Sequence, residues 1–238
     1  MSERILIVGD IHGDWGSLNK LINTKKPTLV LQAGDFGWWP KMEVKQATIY
    51  THEKPWYLEG IKANGSVIRW CDGNHEDHES LDSMGRAQKN EVHCYEGVIY
   101  QPRGSTYTLD DGRVVLFAGG GDSIDKSRRT PGFDWFSREI PSDTEHDRML
   151  SHDHVDIVIS HTAPTVWIPD VCRGDKFSDP TRLVLQDVLE KYRPALWYHG
   201  HWHNEASGTV SRDNKTTRWF SLDYPGHHGR WWMFLPQI

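Results

Sequence analysis

Side chains that can bind metal ions recur along this chain, each directly after a short apolar run. The first two runs are followed by Gly-Asp-Ile-His-Gly-Asp and by Gly-Asp. Later runs are followed by Gly-Asn-His-Glu, by Ser-His and by Gly-His-Trp-His. The candidate ligands in these motifs are Asp10, His12, Asp35, Asn74, His161, His201 and His203. Carboxylate, amide and imidazole groups together favour Mn, Fe, Zn or Ni over Ca or Mg.

Two of the motifs place ligands two residues apart, Asp10 with His12 and His201 with His203. Side chains with this spacing in an extended segment point to the same side, so each pair can chelate one ion or reach two. The candidates outnumber the ligands of one tetrahedral ion, and they fit two ions that share a carboxylate. Each motif alone has a simpler explanation, such as a turn at Gly-Asp or a helix cap at Asn74. Together they predict two divalent ions, preferably Mn²⁺.

His75 follows a candidate ligand but is not needed as one. We expect it to protonate a leaving group or to hold a substrate oxygen, since a general acid contributes about 10²–10⁴ in rate. The alternative is a structural residue that supports the ligands. Asp14 could likewise take part in the chemistry or be structural. Here we favour the structural role, as a helix N-cap or as a residue that supports the candidate ligands.

The elements that must position these residues follow from the apolar pattern. Five runs are predicted to be buried strands, at residues 4–8, 28–33, 66–71, 155–160 and 195–198. Helices are predicted at residues 15–24, 53–63 and 178–191. Alternating strands and helices indicate a parallel α/β sheet. Ligands of such sheets bind outside the carboxyl ends of the strands, where all the candidate side chains lie.

The middle of the chain is different in character. Short strands are predicted at residues 98–100, 106–109 and 114–118, and further β structure at 216–222 and 230–235. The polar 119–150 segment, which begins with three glycines, is predicted to be an excursion over the site within one domain spanning 1–238. In this segment Arg128 or Arg129 can bind an anionic group of a substrate; a solvated surface turn is the alternative.

Five tryptophans lie near these motifs in the sequence. They are Trp38, Trp39, Trp135, Trp167 and Trp202. A tryptophan that lines the cleft can stack on a base or another flat leaving group. For each one taken singly, packing that supports a loop is the favoured alternative.

The combination GDIHG, GD, GNHE, SH and GHWH resembles the calcineurin-like metallophosphoesterase superfamily, over residues 5–203. The resemblance implies an α/β fold, a four-layer α/β/β/α sandwich of two mixed sheets flanked by helices. It also implies how the ligands divide between the two metals. Asp10, His12 and His203 would hold the first ion, and Asn74, His161 and His201 the second, with Asp35 bridging. A metal-bridging hydroxide would then attack phosphorus.

The chain departs from the family pattern at two places. Trp38 stands three residues after Asp35, where most members carry a second Asp, and no Asp-Arg-Gly follows Asp35. Asp72, and no arginine, precedes the Gly-Asn-His-Glu motif. Both phosphate-gripping arginines of the protein phosphatase branch are therefore missing. This favours hydrolysis of a phosphodiester, a nucleotide or another small phosphate. The alternatives are a protein Ser/Thr phosphatase and a catalytically silent metal-bound scaffold.

The departures also leave open which carboxylate orients His75. Glu76, Asp77 and Glu79 are all near it in sequence.

Composition restricts the class of protein further. The 238 residues carry a net charge of -6, which disfavours a general binder of long nucleic acids. Mean hydropathy is -0.65, and no apolar run approaches the roughly 18 residues of a membrane span. The three cysteines are widely spaced, which favours a reducing compartment. These features predict a cytoplasmic protein, and the family resemblance implies that its partner is a phosphate-ester substrate.

Overall fold

The computed structural model describes residues 3–39, 60–167 and 179–236. The four α-helices in this part of the chain are α1 (Trp15–Lys25), α2 (His78–Ser83), α3 (Asp143–Met149) and α4 (Pro180–Tyr192). Its first six strands are β1 (Ile5–Val8), β2 (Leu29–Gln32), β3 (Val67–Trp70), β4 (Val92–Tyr95), β5 (Val98–Tyr100) and β6 (Ser105–Thr108). The next six are β7 (Val114–Ala118), β8 (Ile157–Ser160), β9 (Leu196–His199), β10 (Ala206–Arg212), β11 (Lys215–Ser221) and β12 (Trp232–Phe234).

The strands form two mixed sheets of six strands each. The first sheet has the order β12-β1-β2-β3-β5-β4 and the second β10-β11-β9-β8-β7-β6. In each sheet the four central strands are parallel, and the two outermost strands pair antiparallel with their neighbours. The carboxyl ends of the central strands of a sheet therefore lie at one edge of that sheet.

Strands buried on both faces hold the layers together. Ile5 and Ile7 of β1 pack between the sheets, in a cluster that includes Phe117 of β7. The alternate residues, Leu6 and Val8, face a second cluster that contains the apolar side of α1. A third cluster joins α4 to the outer face of the second sheet. The four-layer α/β/β/α sandwich of two mixed sheets is thus confirmed.

Helix boundaries follow local chemistry. Asp14 caps α1, since its side chain accepts a hydrogen bond from the Ser17 N–H, which confirms its expected role. The backbone turns left-handed at Lys26, with a φ of 48°, and α1 ends there. Asp179 caps α4, and Pro180 occupies its first turn, where the missing N–H costs nothing. The predictions for these two helices were therefore close to the observed bounds.

The structure differs from the sequence-based expectation elsewhere. Of the predicted helix 53–63, residues 53–59 lie outside the described residues, and residues 61–63 are not helical. Helices α2 and α3 and strand β4 were not predicted. Helix α3 buries only Glu145 and Met149, so it has little apolar periodicity. Its capping box, formed by Ser142 and Glu145, was the available signal.

The 119–150 segment is built from short turns and helices. It contains 3-10 helices at Lys126–Arg128 and Ser137–Glu139, followed by α3. Its beginning is buried, and a Cβ placed on Gly121 would contact His161, Asn74 and His201. Among residues 3–39, 60–167 and 179–236, no helix has the length and apolar character that crossing a membrane requires.

Candidate metal centre

The seven candidate ligands meet at the facing edges of the two sheets. Asp10, Asp35 and Asn74 follow β1, β2 and β3 of the first sheet. His161, His201 and His203 follow β8 and β9 of the second sheet, and His12 extends the turn after β1. Side chains that are far apart in sequence are thereby brought within hydrogen-bonding distance of one another.

Four of these residues have a left-handed backbone that side chains other than glycine rarely adopt. The φ angles are 42° at His12, 47° at Asp35, 68° at His201 and 48° at His203. Each such residue costs about 1–2 kcal/mol relative to ordinary backbone. Unfavourable backbone of this kind persists where the surrounding structure enforces it, which is common at functional sites.

Two of the motif glycines are needed for close approach. A Cβ on Gly73 would collide with the carboxylate of Asp35, and a Cβ on Gly200 would collide with that of Asp10. Glycine is therefore needed directly before the candidate ligands Asn74 and His201, because a carboxylate that follows another strand packs against the Cα of that glycine.

One cluster of ligand atoms gathers around His12. Its Nε2 atom lies 3.1 Å from His203 Nε2, 3.7 Å from Asp35 Oδ2 and 3.8 Å from Asp10 Oδ2. His203 Nε2 is 3.1 Å from Asp10 Oδ2. Atoms of Asp10, His12 and His203 all lie within 4.8 Å of one another, close enough to share an ion.

A second cluster gathers around Asn74. Its Oδ1 atom lies 2.9 Å from His161 Nε2 and 3.0 Å from His201 Nδ1. The two ring nitrogens are 3.1 Å apart, and His161 Nε2 is 3.3 Å from Asp35 Oδ1. Asp35 therefore presents one oxygen to each cluster.

The donor chemistry of the second cluster fits a cation. His161 Nδ1 lies 3.0 Å from the carbonyl oxygen of Ala33, which only accepts, so Nδ1 carries a hydrogen. In the neutral ring, Nε2 then directs a lone pair at Asn74 Oδ1, which is itself an acceptor. Ligand atoms about 2.0–2.2 Å from a shared ion would be separated by roughly 3 Å. The observed separations satisfy this condition.

The electrostatics also favour a bound cation. Burial opposes a charge on His161, but Asp35 outweighs it and raises the pKa of His161 to about 10. Burial likewise opposes the charge of Asp35, yet His161 holds the pKa of Asp35 well below its usual value. Burial lowers the pKa of His12 and of His201, so both rings offer lone pairs at neutral pH. Without an ion, a proton on His161 has to balance the carboxylates.

His75 lies beside the two clusters and contacts an arginine. The backbone N–H of His75 donates to Asp35 Oδ1 at 2.9 Å, and the His75 ring packs edge-on against that of His12. Arg129 Nη2 lies 2.6 Å from His75 Nε2. Arg129 Nε also pairs with Asp125 at 2.9 Å, and the arginine side chain is only 6 % exposed. The 119–150 segment thus brings Arg129 to His75, whereas Arg128 is exposed on its 3-10 helix.

Two of the acidic neighbours of His75 have other contacts. Glu76 is buried and accepts hydrogen bonds from the N–H groups of Gly37 and Gly73. Burial, and then the charge of Asp35, raise the pKa of Glu76 to about 8. Asp77 caps α2. Both carboxylates therefore shape the backbone around the site.

Three of the five tryptophans pack in the interior. This is the role that the sequence favoured for each tryptophan taken singly, over stacking on a ligand. Trp38 is buried against Trp70, and its Nε1 donates to Ser80 at 3.1 Å. Trp39 Nε1 donates to the carbonyl of His75 at 2.8 Å, which supports the backbone of that residue. Trp167 belongs to the core under the second sheet. Trp202 packs edge-on against His201, and Trp135 is half-buried.

Three residues near the clusters were missed by sequence reasoning. Ser123 Oγ accepts a hydrogen bond from Asn74 Nδ2 at 2.9 Å. Glu139 is buried in the same segment, and burial raises its pKa to about 7. The ring of Tyr224 lies 4.6 Å from that of His203. Ser123 could have been found, because Gly-Gly-Gly-Asp-Ser follows β7 just as the other motifs follow their strands.

Comparison with known proteins agrees with this geometry. Among curated proteins, none matches the chain significantly. The sequence profile of calcineurin-like phosphoesterases matches residues 3–205, which include every ligand of both clusters. The chain therefore belongs to the calcineurin-like phosphoesterase family.

Proposed function

We propose that this protein hydrolyses a small phosphate ester with the help of two divalent metal ions. The observation that carries the proposal is the pair of ligand clusters, each of which receives one oxygen of Asp35. The first ion would be held by Asp10, His12, His203 and the shared Asp35. The second would be held by Asn74, His161, His201 and Asp35. The nitrogen-rich ligand set favours Mn²⁺, with Fe, Zn or Ni as alternatives.

When bound, such a pair of ions lowers the pKa of a water molecule and neutralises charge that develops on phosphorus oxygens. The chain itself supplies binding and proton transfer. Arg129 donates a charge-assisted hydrogen bond to a phosphoryl oxygen. Because Arg129 Nη2 and His75 Nε2 are in contact, a phosphoryl group bound to the guanidinium lies within reach of the imidazole. When the guanidinium turns from His75 Nε2 to the phosphoryl group, that ring nitrogen is free to carry a proton and to deliver it to the leaving oxygen.

The proposed substrate class follows from the two phosphate-binding arginines of the protein phosphatase branch that this chain lacks. Trp38 and Asp72, which depart from the family pattern, are both buried and engaged in packing or ion pairing. Neither position can offer a positive charge to a substrate. A phosphodiester carries one negative charge and a phosphomonoester up to two, so a site with fewer cations favours the diester. Nucleotides and other small phosphates that are monoesters do not share this charge advantage, and they are the remaining small-substrate candidates.

The test is a comparison of kcat/KM on three substrates, after the metals are removed and Mn²⁺ is added back. The substrates are an aryl phosphodiester, an aryl phosphomonoester and a phosphopeptide. We expect the diester to be hydrolysed fastest and the phosphopeptide slowest. Preference for the phosphopeptide would instead favour a protein phosphatase. Binding of two ions without hydrolysis of any ester would favour a scaffold.

A further inference from the structure

A row of rings leads from the first ligand cluster toward solvent. The centroid of the Tyr224 ring lies 4.6 Å from that of His203, and the His227 ring stacks on Tyr224 at 5.1 Å with an interplanar angle of 14°. The exposed His228 follows, with its ring 5.0 Å from that of His227. We propose that Tyr224 and His227 bind the base of a nucleotide diester whose phosphate lies at the metal centre. The inference rests on the proposed function and names the substrate class of that site.

The row is open to a ligand. The side chain of His227 is 39 % exposed and that of His203 is 43 % exposed. Tyr224, whose ring contacts both, is half-buried. Partly exposed rings that are already stacked offer a platform on which a further flat group can stack. A flat group that is attached to the phosphate therefore finds such a platform directly beside the first cluster.

Asp223 holds the two rings in place. Its side chain is 1 % exposed, and it accepts hydrogen bonds from the backbone N–H groups of Tyr224 at 2.8 Å and of Gly229 at 2.9 Å. A third hydrogen bond, of 2.7 Å, joins Asp223 Oδ2 to Nδ1 of His227 and fixes the plane of the imidazole. The row is therefore arranged before a ligand binds, which reduces the entropy that binding costs.

The loop that carries the row packs against the backbone that precedes Asp10. A Cβ on Gly9 would collide with the carbonyl oxygen of Asp223 and with the side chain of Leu222. Since Gly9 directly precedes Asp10, this contact fixes the position of the loop relative to the first cluster. The loop lies beyond residues 3–205, which the profile of the family matches. The row is thus not part of the pattern that identifies the family.

The chemistry of the row favours a nucleobase over a plain aryl or alkyl group. Aromatic rings stack on any base, because every base has a flat π face. The row also presents imidazole rings, whose nitrogens can hydrogen-bond the polar edge of a base, and a hydrocarbon ring has no such edge. The net charge of -6 disfavours long nucleic acids. The ligand is therefore a nucleotide with a small group esterified to its phosphate.

Two diesters with the same leaving group isolate the contribution of the base. They are the p-nitrophenyl ester of thymidine monophosphate and methyl p-nitrophenyl phosphate, each assayed with the full chain and Mn²⁺. We expect the wild type to prefer the thymidine ester in kcat/KM. Tyr224→Leu should reduce that preference by about 5–100-fold, which is the value of stacking one base. The loss should appear mainly in KM, because the base lies away from the reacting atoms.

Two further variants and a control accompany Tyr224→Leu. Tyr224→Phe keeps the ring and should retain the preference of the wild type within about twofold. His227→Leu removes the ring stacked on Tyr224 and should reduce the preference by about 2–10-fold. Tyr107→Leu is the matched control, because Tyr107 is also half-buried and pairs with Val115 near the start of β7, away from the strand ends that carry the ligands. Elemental analysis verifies that every variant holds two ions.

The outcomes separate this inference from the proposed function. Equal kcat/KM of the wild type on the two esters, or an unchanged preference in both Tyr224→Leu and His227→Leu, would overturn the role of the row alone. An equal loss on both esters in Tyr224→Leu would place the nitrophenyl ring on the row and would overturn the assignment to a base. If Tyr224→Leu loses an ion, His227→Leu decides, because the Tyr224 ring separates His227 from His203.

Failure of the wild type to hydrolyse either ester would overturn the proposed function. Calorimetry with thymidine monophosphate and with methyl phosphate then tests the row by itself. We expect tighter binding of thymidine monophosphate, and equal affinity for the two phosphates would refute the row as a site for a base.

Discussion

Replacement of Arg129 is the sharpest test of how the substrate phosphate is held. Its guanidinium contacts His75 Nε2 at 2.6 Å, and the side chain is 6 % exposed, so solvent screens it little. A hydrogen bond to a charged group contributes about 1.5–3 kcal/mol. Since about 1.4 kcal/mol corresponds to a factor of ten, Arg129→Ala should lower kcat/KM by roughly 10–100-fold.

The neighbouring Arg128 provides the comparison. The two arginines cannot be told apart by sequence, but Arg128 is exposed and the structure places Arg129 on His75. Arg128→Ala removes the same charge and should retain kcat/KM within about threefold, because an exposed charge is screened. Both variants are assayed with two Mn²⁺ ions bound, as verified by elemental analysis. Equal kcat/KM for Arg129→Ala and the wild type on every hydrolysed ester would refute the reasoning.

The loss should also depend on the substrate. A small aryl ester makes fewer contacts with the 119–150 segment than the preferred substrate does. The fold-loss in Arg129→Ala should therefore be larger for the preferred substrate. A loss confined to the aryl ester would show that Arg129 acts on the leaving group and not on the phosphate.

Four further predictions concern the metals, the proton donor and the buried ion pair. Asp35→Asn should reduce the content of both ions in elemental analysis, because each oxygen faces one cluster; a variant that keeps two ions contradicts the bridging role. His75→Ala should keep both ions and lower kcat by about 10²–10⁴; wild-type turnover when chemistry limits the rate would show that His75 is structural. Chelation should abolish hydrolysis and Mn²⁺ should restore it better than Mg²⁺, whereas full activity after verified metal removal contradicts metal dependence. Arg103→Met should lower the free energy of unfolding by about 3–5 kcal/mol in denaturant titration, since the buried Asp72 would lose its closest charged partner and keep only the longer contact with Arg86; recovery in the Arg103→Met/Asp72→Asn double variant distinguishes this cause from lost packing.

That the candidate ligands converge could be predicted, because residue type and chain order place them at the same sheet edges. Asp, Asn and His after buried strands must lie at the carboxyl edge of a parallel sheet, whatever the details of the loops. The left-handed backbone at His12, Asp35 and His201 could not be predicted, because nothing in these residue types requires it. It is enforced by contacts such as those of the His201 N–H, which donates to both oxygens of Asp10.

The role of the 119–150 segment could be predicted only in outline. Its position after a glycine-rich strand end indicated that it reaches the site. Whether Arg128 or Arg129 faces His75 depends on how the turn after the 3-10 helix Lys126–Arg128 is wound, and no periodic pattern encodes that. The hydrogen bond from Asn74 to Ser123 joins residues 49 positions apart, so it too becomes visible only in the fold.

At position 72 the chain carries no arginine that could bind a substrate, and it carries instead a carboxylate that pairs with another arginine, Arg103. An arginine at this position would lie beside Arg103 and Arg86, which pair with the buried carboxylate, and would add a third positive charge to the cluster. With a carboxylate in place, Arg103 is held in the interior and donates to the carbonyls of residues 138 and 139. Those hydrogen bonds hold the 119–150 segment against the site, and the same segment carries Arg129 to His75. The positive charge is thus supplied to the site from a loop, and the buried Asp72–Arg103 pair fixes that loop in place.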